Sequence, residues 1–495
     1  MSIPAASPAP PAPAAAPGAA PERLALSVLL GYSAAQFGLS ASNTLIALHL
    51  PYFYIDTLLL PPALFGVVML IAKTVNALSD PVMGHWTDNT RHRWGRRRPW
   101  LLLGAPPLAL STWLLLRPPD RTGEALFGWL LVTFIASVTF RTVVETPYQA
   151  IAPELTTDYD ERTRVATWRT AIGMVGDFGG ALAPMLLLAG VAAAAERRAV
   201  MGAMGLAVAV LILAGAAVAF ASVRERHADA AGARARLWPS LRRIVLFPVR
   251  NRPARHLIVC YAASVFASTL PVSAVLFLSR YVFTATGLEG TALAPLQLGL
   301  DSADFLATAT IVAYFAGVFL SAPLWGQALR RTDKKHGYVF AFVYVGVVVC
   351  LVFAIPRELG VLFPLLNLFV GAGSLGLWML PGAIGPDVLD WEELHHGGRH
   401  EGGFYGIWML VQKIGAAVAL FALGVLLDAI GFVPEREQAE RTVLGLRFLY
   451  GGVPLLVTLA AALLFSRYPL TRAAYADVQA RLAARRAGGG EPPLG

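Results

Sequence analysis

Long apolar runs separated by short polar ones fill almost the whole chain. Twelve segments, each of roughly 20 residues and so long enough to cross about 30 Å of hydrocarbon as a helix, follow one another in order. They occupy 24–48, 63–84, 100–116, 125–150, 165–191, 200–223, 257–283, 306–329, 339–355, 361–384, 404–430 and 446–465. The pattern predicts an all-α membrane protein of twelve transmembrane helices. No segment of useful size is left over for a soluble domain.

The one long interruption, 224–256, is polar and rich in arginine. It divides the chain into two six-helix bundles, 23–223 and 257–466. An Ala/Pro tract over 1–22 is expected to be a disordered tail. The end, 467–495, is expected to be a second tail with a short helix over 472–486. The halves echo one another: Pro81-Val-Met-Gly84, followed by Asp88, Arg96, Arg97 and Arg98, returns as Pro323-Leu-Trp-Gly326, followed by Arg330 and Arg331. Two six-helix halves with one loop signature resemble a parallel-repeat carrier of the major facilitator fold.

Composition narrows the picture further. The chain is 56% hydrophobic and 14% charged, with mean hydropathy +0.59, which is that of a polytopic membrane protein. Its net charge of +9 sits in short loops after even-numbered spans, at Arg91 to Arg98, Arg162 with Arg164, Arg330 to Lys335, and Arg399. Topology explains that excess better than nucleic-acid binding, and it places both termini in the cytoplasm and the chain in the inner membrane. Cys260 and Cys350 lie inside apolar runs with no CxxC or His partner, so no disulfide or metal site is predicted. His395, His396 and His400 read as a solvated loop. No enzyme motif occurs in a supporting context.

Chemistry enters through ionisable groups at membrane depth, which are costly and usually handle ions or substrate. They are Lys73, Asp80, Arg141, Glu145, Arg169, Asp177 and Lys413. Arg141 and Glu145, at i,i+4 spacing, share a helix face, where each charge offsets the desolvation of the other. The glycines of Val175-Gly-Asp-Phe-Gly-Gly180 predict close helix packing around Asp177. The slight positive excess suggests an acidic small-molecule ligand. Asp88, Arg96, Arg97, Arg98, Arg330 and Arg331 read as a gate and topology signal at the basic ends.

Asp80-Pro-Val-Met-Gly84 with Arg93-Trp-Gly-Arg-Arg-Arg-Pro99-Trp100, Glu145-Thr-Pro147, Asp158 to Arg164, Pro386-Asp387-Val-Leu-Asp390-Trp-Glu and Val411-Gln-Lys413-Ile-Gly415 together resemble the glycoside-pentoside-hexuronide:cation symporters, the melibiose carrier family. The ordered set spans nearly the entire chain. The resemblance implies a monomeric secondary transporter that moves a sugar, glycoside or hexuronide with a cation by alternating access, with no cofactor. It implies cation coupling at Asp80, Glu145 and Asn76, where Asn76 and Ser40 stand in for family acids. A proton needs only one tunable carboxylate, so proton coupling is expected, with sodium as the alternative. The resemblance points to substrate contacts at Arg169, Trp378 and Lys413, with Arg141 nearby and Gln149 departing from the family's tryptophan. Trp378 offers a flat face for a pyranose ring. Few hydroxyl or amide groups are expected to face the cavity, namely Ser40, Asn43, Gln149, Gln412 and Tyr405. That sparsity leaves a lysophospholipid carrier of the same superfamily as a second reading.

Overall fold

A computed structural model describes residues 23–156, 158–188, 191, 193–223, 251–283, 302–396 and 401–487. Among them every regular element is helical. The first half holds α1 (Leu26–Tyr52), α2 (Pro62–Asn89), α3 (Arg98–Leu116), α4 (Gly123–Leu155), α5 (Tyr159–Leu188) and α6 (Ala194–Ser222). The second holds α7 (Arg252–Tyr281), α8 (Ser302–Arg331), α9 (Lys334–Cys350), α10 (Leu362–His396) and α11 (Glu401–Ala429). It is completed by α12 (Glu440–Phe465). After it comes α13 (Arg472–Ala487).

Eleven of these helices are long and apolar enough to span a membrane. The twelfth, α1, has the length and carries no Asp, Glu, Lys or Arg. Its polarity comes from Gln36, Ser40, Asn43 and Thr44, which face an internal cavity rather than hydrocarbon. Twelve helices in two bundles of six are thus the fold.

Within the first half α1 packs on α5 and α6, α3 on α4 and α6, and α2 on α4. In the second, α8 and α9 pack on α10, and α7 packs on α11 and α12. Between halves the broad seam is α2 against α11. There the backbones meet at glycines: a Cβ on Gly424 would lie 2.2 Å from the Pro62 carbonyl oxygen. The halves are also clasped at the end opposite the basic loops. Tyr281 on α7 donates to Asp56, beyond α1, and accepts from the Glu435 backbone N–H, while Tyr52 meets Phe277 edge-on.

Two boundaries depart from the apolar pattern. α7 starts at Arg252, inside the expected linker, because Asn251 caps it by accepting from the Ala254 N–H at 2.8 Å and Pro253 fits the first turn. α10 continues to His396 past the apolar run, because its polar end is docked. Asp387 there binds Lys334, and Asp390 accepts from Tyr475 and Gln479 of α13, both at 2.7 Å. Asp333 also accepts from the Arg472 N–H that opens α13. The short helix expected near 472–486 is present. The tract 1–22 and residues 224–250 lie outside the described residues, as does Arg399.

The glycines around Asp177 do bring helices together. A Cβ on Gly176 would come within 2.4 Å of the Phe37 carbonyl oxygen, and one on Gly180 within 2.3 Å of that of Ala41, whereas one on Gly179 would meet nothing within 4 Å. Gly176→Val is therefore expected to force α5 off α1 at a cost of about 1–3 kcal/mol. The lowered thermal melting midpoint of the purified protein would report it. Gly179→Ala serves as the control, expected within about 0.5 kcal/mol of the parent.

Candidate functional site: a charged cavity at the mid-plane

A cavity of about 650 Å³ lies between the two halves. Its walls take residues from α1, α2, α4, α5, α7, α8, α10 and α11. At its centre the Lys413 ammonium, halfway along α11, reaches across the seam to α2. It donates to both carboxylate oxygens of Asp80 at 2.6 Å and to Oδ1 of Asn76 at 2.8 Å. The side chains of the ion pair are 23% and 24% exposed, so the charges face the cavity without being fully in water. The spacing in α2 explains the convergence: Asn76 and Asp80 are one turn apart and present their oxygens on one face.

A third element closes this centre. The Thr142 hydroxyl on α4 lies 2.8 Å from Asn76 Oδ1 and 3.1 Å from Asp80 Oδ1. It accepts from the Ser79 hydroxyl at 3.3 Å. The oxygens of Asp80, Asn76 and Thr142 thus converge, and two of the three residues hold the Lys413 ammonium. Carboxylate, amide and hydroxyl oxygens suit a small hard cation, and the carboxylate alone suits a proton.

Glu145, a turn further along α4 from Arg141, accepts from Gln149 Nε2 at 3.1 Å. The expected Arg141–Glu145 ion pair is not formed. Instead the Arg141 guanidinium donates to the Leu39 carbonyl at 3.1 Å and to Ser42 Oγ at 2.9 Å, because α1 crosses close enough to offer these acceptors. Asp177 accepts from Thr44 Oγ1 at 2.7 Å. Lys73 lines the same cavity and has no hydrogen-bond or ion-pair partner among the described residues. Trp378, 40% exposed, presents its ring to the cavity, which also borders Gln149, Met409 and Gln412.

The structure therefore gathers Asp80, Glu145, Asn76, Arg141, Gln149, Trp378 and Lys413 around one space. Arg169 stands apart. It lies against the Tyr32–Tyr148 pair, whose rings stack at 4.6 Å and whose hydroxyls each donate to the other's backbone carbonyl. Its turn of α5 lies towards the basic end, which the apolar pattern alone could not reveal. The basic-loop residues also act away from the cavity. Arg96 and Arg97 pair with Glu154 at 2.9 and 2.7 Å, and Arg98 donates to the Phe220 carbonyl at 2.6 Å while lying over its ring. They tie the α2–α3 loop to α4 and α6. Arg331 is exposed, and the side chains of Asp88 and Arg330 lie outside the description.

Sequence reasoning missed Thr142 and the amount of polar lining. Gln36, Thr44, Ser137, Thr146, Ser268 and Thr269 also border the cavity, whereas Tyr405 does not. Their signal was present as single hydroxyl and amide groups inside apolar spans, each innocuous alone.

Known proteins are similar to this chain over nearly its whole length. An uncharacterized symporter of Synechocystis sp. is 28% identical, the match spanning 94% of this chain and 98% of the relative. A putative glycoside/cation symporter of Escherichia coli is 26% identical over 93% of this chain and 95% of its own. A nucleoside transporter of known structure superposes with a TM-score of 0.62 over 89% of this chain and 98% of its own; at 11% identity that likeness concerns the fold alone. The MFS/sugar transport protein family matches residues 31–472. With its family match covering all but the ends of the chain and its two bundles closing on a charged central cavity, the chain belongs to the MFS/sugar transport protein family.

Proposed function

We propose that this protein is a secondary carrier that moves a sugar or glycoside together with a cation across the inner membrane, by rocking of the two bundles about the mid-plane cavity. The observation that carries this reading is the Lys413 ammonium of one half bound to Asp80 and Asn76 of the other. A charge pair across the moving seam gives any cation that binds Asp80 a differential affinity for the two orientations. Such a difference is what coupling requires.

We infer proton coupling. A hard metal cation gains from several anionic oxygens, and α2 offers Asp80 alone, Asn76 being neutral. The basic loops set both termini in the cytoplasm. The clasp of Asp56, Tyr281 and the Glu435 N–H at the opposite end supports reading this state as closed towards the outside. The many hydroxyl and amide groups on the wall favour a hydroxylated substrate over an acyl chain. Stacking on Trp378 suits a pyranose face. Lys73, beside Arg141 and without a partner among the described residues, favours a substrate that also carries a carboxylate.

Three outcomes are expected in liposomes holding the purified protein. A proton gradient drives accumulation of a glycuronide and an equal sodium gradient does not; accumulation under sodium alone would reverse the ion assignment. Asp80→Asn abolishes accumulation, the internal-to-external ratio falling to about one, while exchange of preloaded substrate persists; full concentrative uptake would remove Asp80 from coupling. Lys73→Gln raises the KM for a glycuronide by about tenfold, as loss of one charge-assisted contact predicts. The KM for the matching neutral glycoside stays unchanged.

A further inference from the structure

The second half of the chain carries another concavity, remote from the mid-plane cavity and sharing no lining residue with it. α8 and α9 each pack firmly on α10 but only lightly on each other. Their splay leaves a groove of about 520 Å³ with Ala372 of α10 as its floor. Leu324, Trp325 and Ala328 of α8 form one wall, and Phe340 and Tyr344 of α9 the other. The Trp325 indole N–H is satisfied by the Ala372 carbonyl at 2.8 Å, so the ring presents only carbon to the groove. Leu324 and Phe340 are 65% and 58% exposed, as is usual for side chains whose solvent is hydrocarbon.

One end of the groove is polar. Thr332 and His336 line it there, and Arg331, exposed and one turn beyond Ala328 along the same side of α8, has no side-chain partner among the described residues. The other charges nearby are already engaged. Lys334 is bound to Asp387, and Asp333 accepts from the Lys335 and Arg472 backbone N–H groups. The excess at the mouth is therefore positive. From His336 to Tyr344 α9 rises about 12 Å, at about 1.5 Å per residue, which is close to the half-thickness of a hydrocarbon core of about 30 Å. The groove thus has the depth of one leaflet, an apolar interior and a cationic rim.

We propose that this groove is a binding site for an anionic phospholipid of the leaflet at the basic end, one acyl chain lying between α8 and α9 and the phosphate held by Arg331 and His336. Basic pockets between spanning helices recognise acidic headgroups through charge, and the chain adds apolar burial. The site is separate from the transport pathway, so the lipid is a bound partner and not cargo. Because it touches α8, α9 and α10 only, it braces the second half as a unit.

Native mass spectrometry of the full-length protein with dioleoylphosphatidylglycerol and dioleoylphosphatidylcholine tests the site. The parent is expected to retain the anionic lipid at lower concentration than the zwitterionic one. The variant Arg331→Gln is expected to weaken the anionic lipid by about fivefold, since each basic group near a membrane surface accounts for several-fold, and to leave the zwitterionic lipid unchanged. Ala328→Trp fills the groove and is expected to weaken both lipids. Equal retention of the two lipids by the parent would overturn the proposal. So would loss on charge removal with no effect of Ala328→Trp, which would locate the lipid on the surface charge rather than in the groove. Both variants are first matched to the parent in delipidated melting temperature.

Discussion

An ammonium at the centre of a membrane protein needs a counter-charge or a polar cavity, and Lys413 finds its counter-charge on the other half of the molecule. Its position midway along α11 leaves no route for the side chain to reach an interface. Asp80 and Asn76 of α2 meet it at hydrogen-bonding distance, and this requires α2 and α11 to approach closely along their length. The glycines at 66 and 424, where no Cβ would fit, are the packing counterpart of that demand. Removing the lysine would leave Asp80 without its cation, and a half-satisfied buried charge is worse than none. Charge pairing and backbone approach are two aspects of one seam.

The seam also explains why the cavity is polar. α1 gives up part of its hydrophobicity to place Gln36, Ser40, Asn43 and Thr44 on the interior, and it recovers stability through the glycine contacts with α5. Arg141 is held by α1 acceptors rather than by its neighbour Glu145, which leaves Glu145 with only an amide partner. The wall therefore carries two acids, Glu145 and Asp177, whose hydrogen-bond partners among the described residues are neutral, beside one that is ion-paired. A change of charge in the cavity can then be absorbed at several points without dismantling the seam.

Much of this was legible in the residues. Twelve apolar runs, the arginine-rich break and the repeated loop signature were enough for the fold, because length and hydropathy leave few alternatives in a bilayer. The ionisable groups at depth named most of the cavity. What was hidden depended on helix rotation and tilt. Thr142 adjoins Arg141 in sequence but faces α2, and Arg169 turns towards the Tyr32–Tyr148 stack. The start of α7 was hidden differently. Asn251 and Pro253 are polar-loop residues to a hydropathy reading, and a cap and a first turn to the backbone.

The C-terminal helix has a consequence for how the molecule could be watched. Each of its polar tethers described above, Tyr475 and Gln479 to Asp390 and the Arg472 N–H to Asp333, goes to the second half. When the bundles rock, α13 must travel with that half as a rigid pointer on the membrane surface. A dye on its exposed face, paired with one on the α2–α3 loop that Arg96 and Arg97 pin to α4, would mark the two bodies with little local play. The distance between the dyes would then be a direct ruler of alternating access in single molecules.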